Sequence, residues 1–289
     1  MFVCDSWVDY EVLDTGDGEK LERWGKVILR RPDPQVIWPK TDEKLWNTAH
    51  ARYLRAETGG GNWEFYQKLP DKWQVNWNGL HFNVRPTGFK HTGLFPEQAA
   101  NWAFMQDCVK RFEGADRPKT LNLFAYTGGA TMALAQAGAH VTHVDAAKGM
   151  VLWAKENRES SGIPEEHTRL IIEDAQAFCR RELRRGNRYD GILMDPPSYG
   201  RGPNGEVWKL ENELYGLVEL CSQLLSDTPC FFLVNGYTTG FSASVLGNIV
   251  DRCVTEKRGG SMTADELVLP VTAGGVLPCG TTARWSRHG

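Results

Sequence analysis

The chain of 289 residues has no long apolar run, no paired cysteines and no basic excess, and each absence narrows its role. The longest strongly hydrophobic stretch, Cys230 to Val234, is far too short to cross a bilayer. The opening Met1-Phe-Val-Cys-Asp-Ser6 lacks the basic-then-apolar layout of a secretory leader, so a cytoplasmic location is expected. Seven cysteines, at 4, 108, 179, 221, 230, 253 and 279, include no Cys-x-x-Cys pair, which argues against a disulfide framework, dithiol redox work or a zinc site. The formal net charge of −3 weighs against avid nucleic-acid binding, because phosphate contacts dominate such affinity and need lysine or arginine. Contact of that kind falls to local clusters: Arg30 and Arg31, Arg52 and Arg55, and the group Arg180, Arg181, Arg184 and Arg185. The last has i, i+4 spacing, for which a solvated helix face is the commoner reading.

At 41% hydrophobic, the chain can bury a large core and hold one main domain with an appendage. The first 85 residues form that appendage. Val27-Ile-Leu-Arg-Arg-Pro32 and Gln74 to Val84 have strand patterns, with turn signals at Gly16-Asp-Gly18 and Asn78-Gly79, so a small antiparallel sheet is expected. Seven of the eleven tryptophans fall here, at 7, 24, 38, 46, 63, 73 and 77. Core filling of a small domain accounts for most of them, with base stacking as the sharper alternative. Glu57 to Asn62, rich in glycine, reads as a flexible loop.

Beyond residue 88 the pattern alternates between strands and helices. Leu121 to Tyr126 reads as a buried strand, Thr127-Gly-Gly129 as a turn, and Ala130 to Ala137 as a helix stopped by Gly138. Glycines suit a turn on which a ligand rests, and a helix N-terminus offers N–H groups to a carboxylate. A second strand, His140 to Val144, ends at Asp145, the position of an acid that binds ribose hydroxyls. A nicotinamide enzyme would share that acid, but its pyrophosphate requires G-x-G-x-x-G, and the order here is Thr-Gly-Gly-Ala. The loop therefore favours an adenosyl ligand without phosphates, although strand, Gly-Gly and helix also occur together as a plain tight turn. A third strand, Arg169 to Glu173, leads to Asp174, which could accept from an adenine amino group or simply cap the helix from Ala175 to Arg185.

A fourth strand, Tyr189 to Met194, delivers Asp195-Pro-Pro-Ser-Tyr199 to the carboxyl edge where ligands bind in open α/β sheets. Two prolines stiffen the loop. It can then aim the Asp195 carboxylate and the Pro196 carbonyl at a planar N–H₂ group while the Tyr199 ring stacks on it. Together with the adenosyl-type loop, this points to methyl transfer from S-adenosylmethionine, with S-adenosylhomocysteine as product. Such chemistry asks the protein for in-line positioning and exclusion of water, and requires no metal or nucleophilic residue. Gly200 to Gly205 reads as a mobile loop, followed by a helix from about Glu206 or Leu210 to Leu225. Phe231 to Tyr237 gives strand five, Ser242 to Val254 a helix, and Leu267 to Val271 with Thr282 to Trp285 a closing hairpin.

Five segments, starting at Asp17-Gly-Glu-Lys-Leu-Glu-Arg-Trp-Gly25, Pro32-Asp-Pro-Gln35, His91-Thr-Gly-Leu-Phe-Pro-Glu-Gln98, Leu121 and Met194, resemble one family over nearly the whole chain. It is that of the bacterial class I methyltransferases related to the enzymes modifying cytosine C5 or guanine N7 of large-subunit ribosomal RNA. The resemblance implies a Rossmann-like α/β fold: a seven-stranded, mostly parallel sheet with an antiparallel last strand, preceded by a small β-rich region. The corresponding division is a substrate-binding region over residues 1–88 and a catalytic domain over 89–289. It also implies that Phe124, Tyr126, Thr127 and Gly128 surround the methionine end of the cofactor, Asp145 and Ala146 the ribose, and Asp174 and Ala175 the adenine. Thr92, Phe95 and Gln98 would lie over the cofactor, Asp195, Pro196, Pro197 and Tyr199 would face the target base, and Asp195 would also contact the cofactor. Helix-start packing alone would also explain Phe95 and Gln98.

Two departures bear on the target. Cytosine C5 is a poor nucleophile until a thiolate adds to C6, and relatives doing that chemistry carry a cysteine just after the fifth strand, where this chain reads Phe232-Leu-Val-Asn-Gly-Tyr-Thr-Thr239. Cys230 lies inside the apolar run and reads as structural. A nitrogen of an RNA base, ribosomal above all, is therefore the expected acceptor; a protein amide, a small molecule, or a non-catalytic RNA- or cofactor-binding role are the alternatives. The chain also begins without room for the additional RNA-binding domain of longer relatives, so weaker or assisted RNA binding is expected.

Overall fold

A computed structural model of the chain describes every residue except 57–59, 89, 202–206, 239 and 289. The loops expected at 57–62 and 200–205 therefore lie partly outside the described residues. The chain divides into two compact units: a β-rich unit of residues 3–100 and 268–279, and an α/β unit of residues 1–2, 101–267 and 280–289.

After a two-residue strand β1 (Phe2–Val3), the β-rich unit builds a sheet from β2 (Tyr10–Gly16), β3 (Glu19–Trp24), β4 (Val27–Pro32), β5 (Ala51–Arg55) and β6 (Gly61–Phe65), in that order, with helix α1 (Glu43–Trp46) between β4 and β5. Strands β7 (Trp73–Trp77) and β8 (Leu80–Val84) form a separate antiparallel hairpin turned by Asn78 and Gly79. The expected sheet is present but not wholly antiparallel: β4 and β5 run parallel, because α1 carries the chain across between them. The buried carboxylates of Glu22 and Asp14 are paired inside it. Arg31 donates from Nε and Nη2 to the two oxygens of fully buried Glu22 at 2.6 and 2.7 Å, and the Tyr10 hydroxyl donates to the same carboxylate at 2.6 Å. A bulge between Val12 and Asp14 turns the Asp14 carboxylate inward, where Trp46 Nε1 donates to it at 2.8 Å. Trp24, Trp46 and Trp77 are buried, as core filling requires, while Trp38 is 37% exposed. Arg30 and Arg52 both bind Glu19, so with Arg31 buried, three of the four arginines considered for RNA in this region are committed to internal carboxylates.

The α/β unit begins in α2 (Ala99–Lys110) and alternates through β9 (Lys119–Leu123), α3 (Gly129–Gln136), β10 (His140–Asp145), α4 (Lys148–Ser160), β11 (Thr168–Ile172), α5 (Ala175–Arg184) and β12 (Gly191–Met194). A short antiparallel pair, β13 (Tyr199–Arg201) and β14 (Val207–Lys209), precedes α6 (Leu210–Ser222), β15 (Phe231–Gly236), α7 (Ala243–Val250), α8 (Glu256–Arg258), β16 (Ser261–Pro270) and β17 (Val276–Ser286). The sheet order is β1-β16-β17-β15-β12-β9-β10-β11. β15, β12, β9, β10 and β11 are parallel and β17 runs antiparallel to β15. These are the seven expected strands with β1 added at one edge. β12 and β15 are buried along their whole length, as parallel strands covered on both faces must be.

Two expectations are corrected. The helix expected over Ser242 to Val254 is α-helical only to Val250; residues 251–255 form a wide π turn that brings the consecutive Cys253 and Val254 into the core. The closing strands are longer than their apolar cores, at ten and eleven residues. The arginine stripe on α5 is largely engaged locally: Arg181 binds Glu173, Arg185 binds Glu182, and Arg180 binds Gln176. Among the described residues no helix is long and apolar enough to cross a membrane, and no group of three His, Cys, Asp or Glu could hold a metal ion.

Candidate functional site

The order of the central strands, β12-β9-β10-β11, and their register decide what meets at the carboxyl edge. Met194 and Val144 both sit opposite Leu123, and Asp145 sits opposite Ile172, so the four strands end almost level. The residues emerging along that edge are Asp195, Phe124, Asp145 and Asp174 in turn. Three interstrand spacings of 4.8 Å make this row about 14 Å long, enough for an extended amino-acid nucleoside. The chain leaves β9 for β10 on one side while β12 joins on the other, which opens the switch-point crevice of a doubly wound sheet.

The loop after β9 is strained and heavily supported. Phe124 and Tyr126 have positive φ, 54° and 51°, where a bulky side chain costs on the order of 1–2 kcal/mol. Opposing that cost, Tyr126 N–H donates to Asp145 Oδ2 at 2.8 Å, Ala125 N–H to the Val144 carbonyl at 3.1 Å, and buried Asn157 Nδ2 to the Thr127 carbonyl at 2.9 Å. Gly128, at φ 83°, is the N-cap of α3; a Cβ there would meet the Ala154 Cβ at 3.0 Å. At Gly129 a Cβ would lie 2.5 Å from the Trp102 ring. The two glycines are thus required by internal packing, in addition to the ligand approach expected from the sequence.

Asp145 is held by both oxygens, Oδ2 as above and Oδ1 accepting from Ala147 N–H at 2.8 Å. Each oxygen retains a lone pair for a hydroxyl. Ala146, between these contacts, is exposed. Asp174 caps α5, accepting from Ala177 N–H at 2.8 Å through Oδ1, and is itself exposed, so capping and ligand contact are compatible; Ala175 behind it is buried. Asp195 is half-buried, Pro196 is buried, Pro197 is exposed and Tyr199 is 51% exposed.

Two residues absent from the sequence reading support the Asp195 loop. Trp208 Nε1 donates to the Pro197 carbonyl at 2.6 Å, and Thr238 Oγ1 to Ser198 Oγ at 2.6 Å. Asn157 and Trp102, which shape the glycine loop, were equally missed; nothing nearby in sequence marks them. Thr92, Phe95 and Gln98 lie in the β-rich unit. There the Pro96 carbonyl accepts from the Cys4 thiol at 3.1 Å and Trp7 Nε1 at 2.8 Å, and Arg85 N–H donates to the Thr92 carbonyl at 3.0 Å. Burial, with the charge of Glu97, pushes the Cys4 thiol up to about 12, so it stays a donor. A cavity of about 340 Å³, lined by Cys108, Arg111 and Cys230, opens at the amino ends of the strands, away from all these motifs.

The donor set fits S-adenosylmethionine: acceptors for ribose hydroxyls and an adenine amine, a helix N-terminus with a left-handed glycine, and no phosphate-binding G-x-G-x-x-G. A structure of an S-adenosylmethionine-dependent methyltransferase from Agrobacterium tumefaciens superposes with a TM-score of 0.92 at 35% identity, covering 99% of this chain and 92% of that one. Ribosomal RNA large subunit methyltransferase K of Neisseria meningitidis is 28% identical over 84% of this chain and 67% of its own length. Methyltransferase K/L of Magnetococcus marinus is 32% identical over 59% of this chain, which spans only 23% of that protein. A model of the S-adenosylmethionine-dependent methyltransferases matches residues 45–221, more than half of the chain, and the chain belongs to that family.

Proposed function

We propose that this protein methylates a base of RNA, with large-subunit ribosomal RNA as substrate and a nitrogen as acceptor. The observation that carries the reading is the row Asp195, Phe124, Asp145, Asp174 along one sheet edge, with Asp-Pro-Pro-Ser-Tyr at its end. The two relatives named above as ribosomal RNA methyltransferases support the substrate class. Residues 1–88 serve substrate binding and 89–289 methyl transfer.

S-adenosylmethionine supplies an electrophilic methyl group on a sulfonium. Asp145 binds the ribose hydroxyls, with Ala146 beside them, and Asp174 accepts from the adenine amine against Ala175. Phe124, Tyr126, Thr127 and Gly128 shape the methionine end. Asp195 and the Pro196 carbonyl accept hydrogen bonds from the target base while Tyr199 stacks on it, the base being single-stranded or flipped. A ring nitrogen with a free lone pair, such as guanine N7, needs only this orientation. An exocyclic amine must also release a proton, for which the Asp195 carboxylate would serve as acceptor.

A C5 target is disfavoured by position as well as by absence. Cys230 directly precedes β15, whose Phe231 pairs with Gly191 at the start of β12, so its thiol sits at the end of the sheet opposite Asp195. Burial also pushes that thiol far above the ordinary range, away from thiolate. A second reading, methylation of a protein amide or small molecule, draws on one observation: Arg30, Arg31, Arg52 and Arg181 are all committed to internal carboxylates.

The test is transfer of tritiated methyl to total RNA from a strain lacking the gene, followed by nucleoside analysis. Label in a purine is the expected result. Label in 5-methylcytosine would overturn the nitrogen acceptor, and unlabelled RNA with a protein that binds the cofactor would turn the reading to the protein or small-molecule substrate.

A further inference from the structure

The acceptor loop is fastened by a residue outside both sequence motifs. Trp208 on β14 donates its indole N–H to the Pro197 carbonyl at 2.6 Å, while its ring lies beside Phe124, centroids 6.0 Å apart and planes inclined at 46°. β14 pairs with β13 so that Trp208 stands opposite Gly200 and Lys209 opposite Tyr199. Leu210 N–H, at the start of α6, donates to the Ser198 carbonyl at 3.1 Å, which ties the same loop to the helix that follows. Trp208 therefore touches the two sides between which the methyl must move: Phe124 at the donor end, and the loop carrying Asp195 and Tyr199.

We propose that Trp208 is a positioning residue for methyl transfer, one that sets the reach of the Asp195-Pro-Pro-Ser-Tyr199 loop across the donor end of the site. The inference rests on the reading of that loop as the acceptor site. With the Pro197 carbonyl engaged by the indole, recognition of the target amine rests on Asp195 and the Pro196 carbonyl. Pro197 is exposed, so water could satisfy its carbonyl if folding alone were at stake. The indole bond instead selects one loop position among those a solvated carbonyl would allow. Near-attack geometry is sensitive to shifts of about 1 Å, so a loosened loop slows chemistry before it weakens binding of the donor.

Trp208→Phe keeps the apolar ring against Phe124 and removes only the donor; Trp208→Ala removes both. Each is compared with the wild type in methyl transfer to RNA from a strain lacking the gene, in S-adenosylmethionine affinity by calorimetry, and in Tm. For Trp208→Phe, kcat should fall roughly tenfold, the size of one lost hydrogen bond, while donor affinity and Tm stay unchanged. A wild-type kcat in Trp208→Phe would overturn the role, as would parallel losses of Tm, donor affinity and kcat in both variants, the mark of packing alone. Asp195→Ala in the same assay separates the two levels. Full turnover there sinks the acceptor-loop reading itself, whereas a wild type that labels no RNA overturns the RNA substrate. An inactive Asp195→Ala beside an unaffected Trp208→Phe sinks only the inference about Trp208.

Discussion

Asp145 has two tasks whose consequences can be measured apart. Its carboxylate ties the strained Tyr126 backbone to β10 and caps Ala147, and in the proposed function its remaining lone pairs bind the ribose. Asp145→Ala should therefore weaken S-adenosylmethionine binding by tenfold or more and also lower Tm, since a hydrogen bond to a charged group contributes about 1.5–3 kcal/mol. Calorimetry and thermal melts check both; donor affinity at the wild-type level would remove Asp145 from the ribose. Asp195→Ala should leave donor affinity in place while abolishing turnover. The strand-end positions of Asp145 and Asp195 were legible in the sequence because each directly follows an apolar run. The positive φ at Phe124 and Tyr126 was not: Leu-Asn-Leu-Phe-Ala-Tyr reads as strand throughout, and the chain turns after Leu123 under bonds from Asp145, Val144 and Asn157, 19 to 30 residues along the chain from the groups they hold. Trp208 was hidden for a similar reason, one of eleven tryptophans with no local signal of what its N–H would meet.

Among the elements, the turn into α3 tests packing against ligand approach. The Gly129 contact with Trp102 predicts that Gly129→Ala destabilises the protein by about 1–3 kcal/mol without any ligand present, the usual cost of overpacking. In a Trp102→Ala background the same change should cost much less, and a double-mutant cycle on denaturant midpoints reads the difference. An undiminished cost would leave the turn's backbone, not the ring, as the constraint. In the β-rich unit the β3 and β4 pair encloses Glu22. Burial alone would raise its carboxyl, but the charges of Arg31 and Lys20 and the bonds from Arg31 and Tyr10 outweigh it and hold the group at about 2, below its ordinary 4.5. Such a depressed group gives stability that is complete above pH 4.5 and lost as pH falls towards 2. Glu22→Gln should accordingly lower Tm at neutral pH and flatten its fall between pH 4.5 and 2, as acid melts would reveal. The pairing itself was not legible, Arg30 and Arg31 reading only as a surface cluster; that Arg31 points inward follows from the register of β3 with β2 and β4.

For the molecule as a whole, the alternation of strands and helices after residue 118 gave the sheet order its outline, because right-handed crossovers leave few arrangements for parallel strands. What no local pattern announced is the path of residues 268–279, which leave the α/β unit, complete the β-rich one and then return as β17. Val271 bridges Val12, Thr272 and Ala273 donate to the Val12 and Leu13 carbonyls, and the Val268 carbonyl accepts from Cys4 N–H. Residues 1–100 expressed alone should therefore fail to give a cooperative melt, and addition of a peptide spanning 266–280 should restore one. A cooperative transition of 1–100 without the peptide would mean that these bonds are dispensable. During synthesis the same path imposes a delay. The β-rich unit leaves the ribosome first, yet its last segment follows some 170 residues later, so at translation rates of 5–20 residues per second it waits roughly ten to thirty seconds with Val12 and Leu13 uncovered. That window, longer than most domains need to fold, is where a chaperone would meet this chain.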